Sequence, residues 1–360
     1  MSAEHQRLWS SLQQQGLVKG EPPALGSVVS PWYISVFMGF FGWLAALFLF
    51  LAIALLFFFD LGLDRFFENT LLLWATGLLL IGVAFWLLHS AASEFVRHMA
   101  LAFSLAGQGF AAWGAFEGID ATGATLLIIG FQMLLAVFMP DFIHRVFSTC
   151  VAALGLLMFV ECPLLNMVAG GTVLAFTGWV WLHEFQYPRR APALRAWGYG
   201  GVLALVVSGA ELVFGLNWSA WNGVLDTTFD TMPVIYDWLA LLLEGLAAIY
   251  IVYCVCQRLK SSVRVQILAL CGVAALVLVS ADAPGLLVCM MVIVLGQAGS
   301  NNLLKGIGIA GLLFYASAFY YQLHVTLMVK AQILLATGLL LLAARWLMLR
   351  RANGQAGQNS

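Results

Sequence analysis

Three carboxylic acids stand in segments whose other residues are almost all apolar. Asp237 and Glu244 belong to the stretch VIYDWLALLLEGLAAIY, residues 234–250, and Glu211 lies near the end of the preceding apolar run. Seven residues make two helical turns, so Asp237 and Glu244 share one helix face about 10 Å apart. An ionised acid in lipid costs roughly 2.5–3.5 kcal/mol on insertion scales. Each of these acids therefore needs water, a proton or a positive charge beside it.

Three arrangements would satisfy such acids: protonation, a bound cation or water-filled cavity, or pairing with a basic residue of another segment. Lys330, near the outer end of the last apolar run, is the internal candidate for pairing, and one lysine cannot neutralise three acids. We therefore predict a polar cavity, open to the outer face, that contains Glu211, Asp237 and Glu244 and binds protons, cations or substrate. The amide side chains expected to help line it are Gln108, Gln132, Asn166, Gln297 and Gln332.

Simpler explanations stay open for each acid. Asp237 is about one turn inside its segment, where its side chain can reach interfacial water. Glu211 can be neutral and hydrogen-bonded to a neighbouring helix. Glu244 is the deepest of the three, and Gly245 beside it allows another helix to approach closely.

The composition defines the elements that must position these acids. The chain has 360 residues, of which 62% are hydrophobic and 9% charged, and its mean hydropathy is +0.96. Soluble domains carry about 25% charged residues. The apolar runs are continuous, as in helices that cross about 30 Å of hydrocarbon with about 20 residues each, rather than alternating as in a barrel. The sequence predicts an all-α, polytopic transmembrane helical bundle.

Twelve spans are predicted. They cover residues 32–59, 70–88, 99–116, 121–139, 146–160, 164–182, 198–217, 234–256, 265–280, 284–298, 306–323 and 328–347. Segments 146–160, 265–280 and 284–298 are short and either cross fully or form half-helices. The loop 183–197 divides the bundle, 32–347, into two halves, 32–182 and 198–347, as in transporters built from repeats.

The termini are predicted to be soluble tails. Residues 1–31 contain a short amphipathic helix, 3–15, ended by Gly16, and a Pro22-Pro23 linker. Residues 348–360 form a second tail. We interpret the first apolar run as a retained signal anchor, because it is longer than the 7–15 residues usual in a cleaved signal peptide.

The basic residues predict the orientation. With a cytoplasmic N-terminus, twelve spans place fourteen of the 16 lysines and arginines inside, and only Arg65 and Lys330 outside. This is the asymmetry that the positive-inside rule describes for short loops. We therefore expect a multi-pass membrane protein with both termini in the cytoplasm.

Other motifs are interpreted as packing. Gly306, Gly308 and Gly311 fit G-x-G-x-x-G, but they lie in an apolar helix and not after a strand, so close helix packing is expected. The same interpretation applies to Gly114 with Gly118, and to Gly170-Gly171 with Gly178. The six cysteines match no metal or haem spacing. The interfacial histidines His89, His98, His144 and His183 show no ligand spacing either, and neither a metal nor a cofactor is expected.

The patterns LWSSLQQQGLV and PWYISVFMGFFGWLAALFLF resemble those of an uncharacterised bacterial family of polytopic inner-membrane proteins, a domain of unknown function. The resemblance extends over essentially the whole chain. Genes of that family often neighbour those of a second membrane protein with a GDYxxLxY motif, so the resemblance implies a membrane partner of that type. It brings no catalytic residues.

Three hypotheses for the function follow. The first is a transporter or permease in which Glu244 couples transport to protons or cations. The second is a non-catalytic scaffold or assembly partner that uses its outer loops, above all residues 219–233. The third, a transferase or hydrolase acting on a lipid-linked substrate, has the least support, since the outer loops hold few histidines or arginines for handling phosphate. No nucleic-acid partner is expected.

Overall fold

The chain is described here by a computed structural model. It describes residues 9–11, 13–16, 37, 40–42, 44–45, 47–49, 51–52, 55, 67–90, 94–158, 163–214, 234–280 and 285–322. For residues 94, 163, 210–214, 234–237, 279 and 319–322 it gives the helical backbone alone.

All regular structure in the described ranges is helical. The helices are α1 (Thr70–Ser90), α2 (Glu94–Gly118), α3 (Ala121–Phe138), α4 (Phe142–Leu157), α5 (Pro163–His183), α6 (Ala191–Phe214), α7 (Val234–Arg258), α8 (Val263–Ser280), α9 (Leu286–Ala298) and α10 (Asn302–Gln322). Two 3-10 turns, Glu184–Gln186 and Pro188–Arg190, join α5 to α6. The predicted all-α class is confirmed for this part of the chain.

A helix occupies each predicted span from the second to the eleventh. In the first span, the described residues between Phe37 and Leu55 are helical, and the twelfth span lies outside the described residues. Residues Trp9–Ser11 are helical and Gly16 has a positive φ of 70°. The proline linker, the tail 348–360 and the loop 219–233 lie outside the described residues.

Five helical segments in the described ranges are long and apolar enough to cross a membrane. They are Thr70–Ser90, Phe95–Gly118, Ala121–Phe138, Leu164–Gln186 and Trp238–Arg258. Their lengths suit the hydrocarbon thickness of a bilayer, which supports an integral membrane protein. The total of twelve spans and the side on which each terminus lies stay predictions.

The chain forms two compact units, Met1–Ile119 and Asp120–Ser360. In the first, α1 and α2 form an antiparallel pair: Thr70 meets Gly118, and Gly77 meets the backbone of Gly107. A Cβ atom on Gly77 would lie 2.7 Å from the carbonyl oxygen of Gly107. The two backbones therefore touch with no side chain between them, around a core that includes Leu73 and Phe110.

The second unit contains α3 to α10. The principal pairs of neighbours are α4 with α6, α5 with α7, α9 with α10 and α3 with α4. Its core is mainly aliphatic and includes Leu174, Val202, Ile251 and Leu287. Helices α5 and α6 also pack against each other, on either side of the loop from which two halves were predicted; that division stays a prediction.

Side chains close several helix ends in this unit. Asp120 and Asp141 cap the first turns of α3 and α4 by accepting hydrogen bonds from Gly123 N at 3.0 Å and His144 N at 3.1 Å. Trp197 on α6 donates its indole N–H to the carbonyl of Ala136 near the end of α3, at 3.1 Å. Such bonds satisfy backbone groups that the helix itself leaves unpaired.

Candidate functional site

Glu244 lies in the interface between α7 and α5. Its carboxyl group is packed against Gly170: a Cβ atom built there would overlap Glu244 Oε1 and lie 3.1 Å from Cδ. The carboxyl group therefore occupies the volume that a side chain at position 170 would fill. A side chain at position 170 could be accommodated only if the end of the Glu244 side chain moved.

Neighbouring glycines allow the two helices to come this close. A Cβ atom on Gly171 would lie 2.9 Å from the carbonyl carbon of Leu243, and one on Gly178 would lie 2.6 Å from Cδ1 of Ile251. Small residues let transmembrane helices pack backbone to backbone. The predicted packing role of Gly170, Gly171 and Gly178 is confirmed.

A second face of α7 is also tightly packed. A Cβ atom on Gly245 would lie 3.1 Å from a methyl group of Val277 on α8. This confirms that Gly245 admits a close neighbour. Glu244 therefore belongs to a helix held between α5 and α8.

The polar surroundings of Glu244 are sparse. Within the described residues, no ion pair or hydrogen bond reaches its carboxyl group. The nearest polar side chains along α5 bond to backbone: Asn166 donates to the carbonyl of Leu157 at 3.4 Å, and Thr172 to that of Val168 at 2.6 Å. The acid thus faces a glycine backbone rather than a matched partner.

The other predicted site residues are less fully placed. Glu211 lies in α6 and Asp237 in the first turn of α7, where the backbone alone is described, and Lys330 lies outside the described residues. Whether the three acids share a cavity therefore stays a prediction. Among the described helices, the main neighbour of α7 is α5 and not α6, which carries Glu211.

The glutamines expected to line the cavity lie in different parts of the chain. Gln108, in the first unit, donates to Ser104 Oγ at 3.1 Å, and Gln132 is buried in α3. Gln297 lies in the last turn of α9 and is exposed, and Gln332 is outside the described residues. None of these contacts involves Glu244.

Gly170 is the site residue that the sequence argument missed as a partner of Glu244. The glycine pair had been recognised as a packing element, and Glu244-Gly245 as an acid beside a small residue. The signal was that both helices carry small residues at adjacent positions. Nothing in the sequence, however, states which two helices become neighbours.

The interfacial histidines make separate contacts. His89 and His183 each bond a backbone carbonyl of their own helix, at 3.0 and 2.9 Å, and His144 lies 3.3 Å from Ser148 Oγ. Within the described residues, no group of three His, Cys, Asp or Glu side chains is arranged to hold a metal ion.

Several helices are long and apolar enough to span a bilayer, and α5 and α7 pack through glycines beside Glu244. These features define the class, an α-helical membrane protein. A family model described as "Domain of unknown function (DUF4401)" matches residues 31–351, and the chain belongs to that family. This confirms the resemblance to an uncharacterised family, while the expected gene neighbour stays a prediction. Neither the comparison with curated proteins nor that with solved structures gave a match.

Proposed function

We propose that the protein is a membrane transporter of the bacterial inner membrane in which Glu244 couples the movement of a solute to protons or cations. The observation that carries the proposal is the position of the Glu244 carboxyl group against Gly170, between two membrane-capable helices and without a basic partner among the described residues. Ionisable residues in such positions commonly belong to ion pathways.

The close packing supplies a physical reason for coupling. A neutral carboxyl group tolerates a dry helix interface, whereas an ionised one requires water or a cation. Gain or loss of a proton at Glu244 would therefore favour two different separations of α5 and α7. Such a two-state element is what a coupled transporter needs.

The first experiment tests the protonation of Glu244 without knowledge of the substrate. Infrared difference spectra of the reconstituted full-length protein would be recorded between low and high pH. We expect a carbonyl band of a protonated carboxyl group that is missing in Glu244→Gln. Glu117→Gln is the matched control, because Glu117 is an exposed glutamate at the end of a helix.

The second experiment tests transport itself. Proteoliposomes on a solid-supported membrane would receive a panel of metal cations, amino acids and organic anions under an imposed proton gradient. We expect at least one gradient-dependent current that Glu244→Gln abolishes and Glu117→Gln retains. A current of wild-type size in Glu244→Gln would overturn the coupling role.

The alternative is a scaffold or assembly partner of a second membrane protein, of the GDYxxLxY type. It is favoured if wild-type protein gives no current and no titrating Glu244 band, but co-purifies in gentle detergent with a neighbouring gene product. Such a complex would form equally with Glu244→Gln, which separates it from the transport proposal.

A further inference from the structure

A basic and aromatic surface lies where α5 ends and α6 begins. We call it the arginine–aromatic edge and define it by Trp179, His183, Tyr187, Arg189 and Arg190. Two successive 3-10 turns form the connection, and Arg190 N donates to the carbonyl of Tyr187 at 2.9 Å. The two arginines are thus held in consecutive, exposed positions on a short ordered turn.

The carboxylate closest in sequence to Arg189 and Arg190 already pairs with another arginine. Glu184 is buried and accepts a hydrogen bond from Arg195 Nε at 3.3 Å, and the Arg195 guanidinium also lies 6.0 Å from the centre of the Phe185 ring. Within the described residues, neither Arg189 nor Arg190 has an ion pair or a side-chain hydrogen bond. The edge therefore presents two guanidinium groups with no internal anion.

The aromatic rings place the edge at the membrane–water boundary. Trp179 stacks on His183 with ring centres 5.3 Å apart and lies 6.4 Å from Tyr187. These rings end a membrane-capable helix, Leu164–Gln186, and rings of this kind mark the headgroup level of a bilayer. Phe185 beside them is 63% exposed, which gives the same surface an apolar contact.

We infer that the arginine–aromatic edge binds the headgroup of an anionic phospholipid. A guanidinium group matches a phosphate oxygen pair with two parallel hydrogen bonds, and two adjacent arginines supply that match together with a positive field. The lipid, rather than a soluble anion, fits the edge because the exposed Phe185 and the Trp179–Tyr187 rings lie beside the charges. The phosphate would face the arginines and the upper acyl chain would cover the rings.

The test measures lipid binding to the intact protein in detergent. Phosphatidylglycerol and phosphatidylcholine would be titrated separately, with bound lipid counted by native mass spectrometry. We expect wild-type protein to bind phosphatidylglycerol preferentially. Because each arginine near an anionic surface contributes a similar increment, Arg189→Gln with Arg190→Gln should weaken that binding about thirtyfold.

The control variant removes the same charge elsewhere. Arg258→Gln with Arg264→Gln alters two exposed arginines at the connection of α7 to α8, and its affinity should stay within about threefold of wild type, since those charges lie at another site. Replacing Arg189 and Arg190 with lysines keeps the charge but loses the paired hydrogen bonds, so binding should be intermediate. Lipid-free melting temperatures should match in all variants, because none of the four arginines forms an ion pair with another described residue.

Three outcomes would overturn the inference. Equal binding of the two lipids would remove the requirement for a negative headgroup. Equal losses in both double glutamine variants would reduce the effect to overall charge. Competition by inorganic phosphate at the concentration of the lipid would assign the arginines to a soluble anion instead.

Discussion

The carboxyl group of Glu244 on α7 fills the space left by the missing side chain of Gly170 on α5. The two residues are complementary in volume, so a change at either position alters the space available to the other. The contact also limits where the carboxyl group can move, because the α5 backbone blocks one direction.

A methyl group at position 170 should displace the acid. Gly170→Ala would push the flexible end of Glu244 off its preferred rotamer, at a cost of about 0.5–1.5 kcal/mol. It should also shift the infrared carbonyl band assigned to Glu244. In Glu244→Ala the overlapping atoms are gone, so adding Gly170→Ala should cost much less. A double-mutant cycle on thermal unfolding measures the difference, and strictly additive effects would contradict the contact.

Position 171 should tolerate alanine less well than position 170. A methyl group on residue 171 would meet the backbone of Leu243, at 2.9 Å from its carbonyl carbon, and a backbone cannot rotate away as a side chain can. We expect Gly171→Ala to destabilise the protein by about 1–3 kcal/mol, more than Gly170→Ala. Gly130→Ala is the control, because nothing lies within 4 Å of a methyl group there; a similar loss in Gly130→Ala would contradict the packing argument.

Local properties of the sequence were sufficient to predict the helices. Apolar runs of the right length mark α1 to α10, and small residues marked the close contacts of Gly171 and Gly308. The motif did not distinguish Gly308, whose methyl group would meet Ile293, from Gly306, which has nothing within 4 Å. That difference depends on which face turns toward α9, and it requires the tertiary arrangement.

Only part of the candidate site could be predicted, because the rest again depends on the tertiary arrangement. An acid in an apolar run is visible in the sequence, so Glu244 was found. Its partner Gly170 depends on the pairing of α5 with α7, which is not a pairing of consecutive helices. The hydropathy of α5 and α7 is equally consistent with other neighbours, because lipid and protein interiors are both apolar.

The Asn301 side chain forms hydrogen bonds to both α10 and α6. Its Oδ1 accepts from Leu304 N at 3.1 Å, which caps α10, and its Nδ2 donates to the Tyr199 hydroxyl on α6 at 2.8 Å. Asn301→Ser keeps a capping oxygen but is too short to reach the Tyr199 hydroxyl, so it should cost about 1 kcal/mol. Asn301→Ala loses both and should cost about 2 kcal/mol.

Tyr199→Phe tests the same contact from the other side. It removes the hydroxyl while keeping the ring that packs edge-on against Trp181, with centres 4.9 Å apart. Its loss of stability should equal that of Asn301→Ser, and combining the two should add nothing further. Thermal unfolding in detergent is the measurement, and additive losses would show that the two groups do not interact.

Replacing Arg195 should destabilise the protein more than replacing its ion-pair partner Glu184. The Glu184 side chain is 5% exposed and that of Arg195 is 48% exposed. Arg195→Gln leaves a buried carboxylate without its cation, which should cost about 1–3 kcal/mol. Glu184→Gln leaves an arginine that water can solvate and an amide oxygen that can still accept its hydrogen bond, so its effect should be smaller. Equal losses of melting temperature would contradict this assignment of burial.

Lys260 ends α7 in a conformation that suits glycine. Its φ is 48°, while Ser261 N donates to Cys256 O at 3.1 Å and Lys260 N to Gln257 O at 3.2 Å, the pattern of a helix closed by a left-handed residue. In this left-handed conformation a residue with a Cβ atom is destabilised by roughly 1 kcal/mol relative to glycine. Lys260→Gly should therefore raise the free energy of unfolding by about that amount.

The control separates backbone conformation from charge. Lys260→Ala removes the same ammonium group but keeps the Cβ atom, so it should not stabilise the protein. Ser300→Gly, at φ 52° after α9, should repeat the gain at a position without charge, because Ser300 and Asn301 close that helix with the same two bonds, to Gln297 O at 3.3 Å and Gly296 O at 2.8 Å. If Lys260→Ala and Lys260→Gly raised the melting temperature equally, the gain would come from removing a positive charge, and the left-handed backbone would contribute nothing.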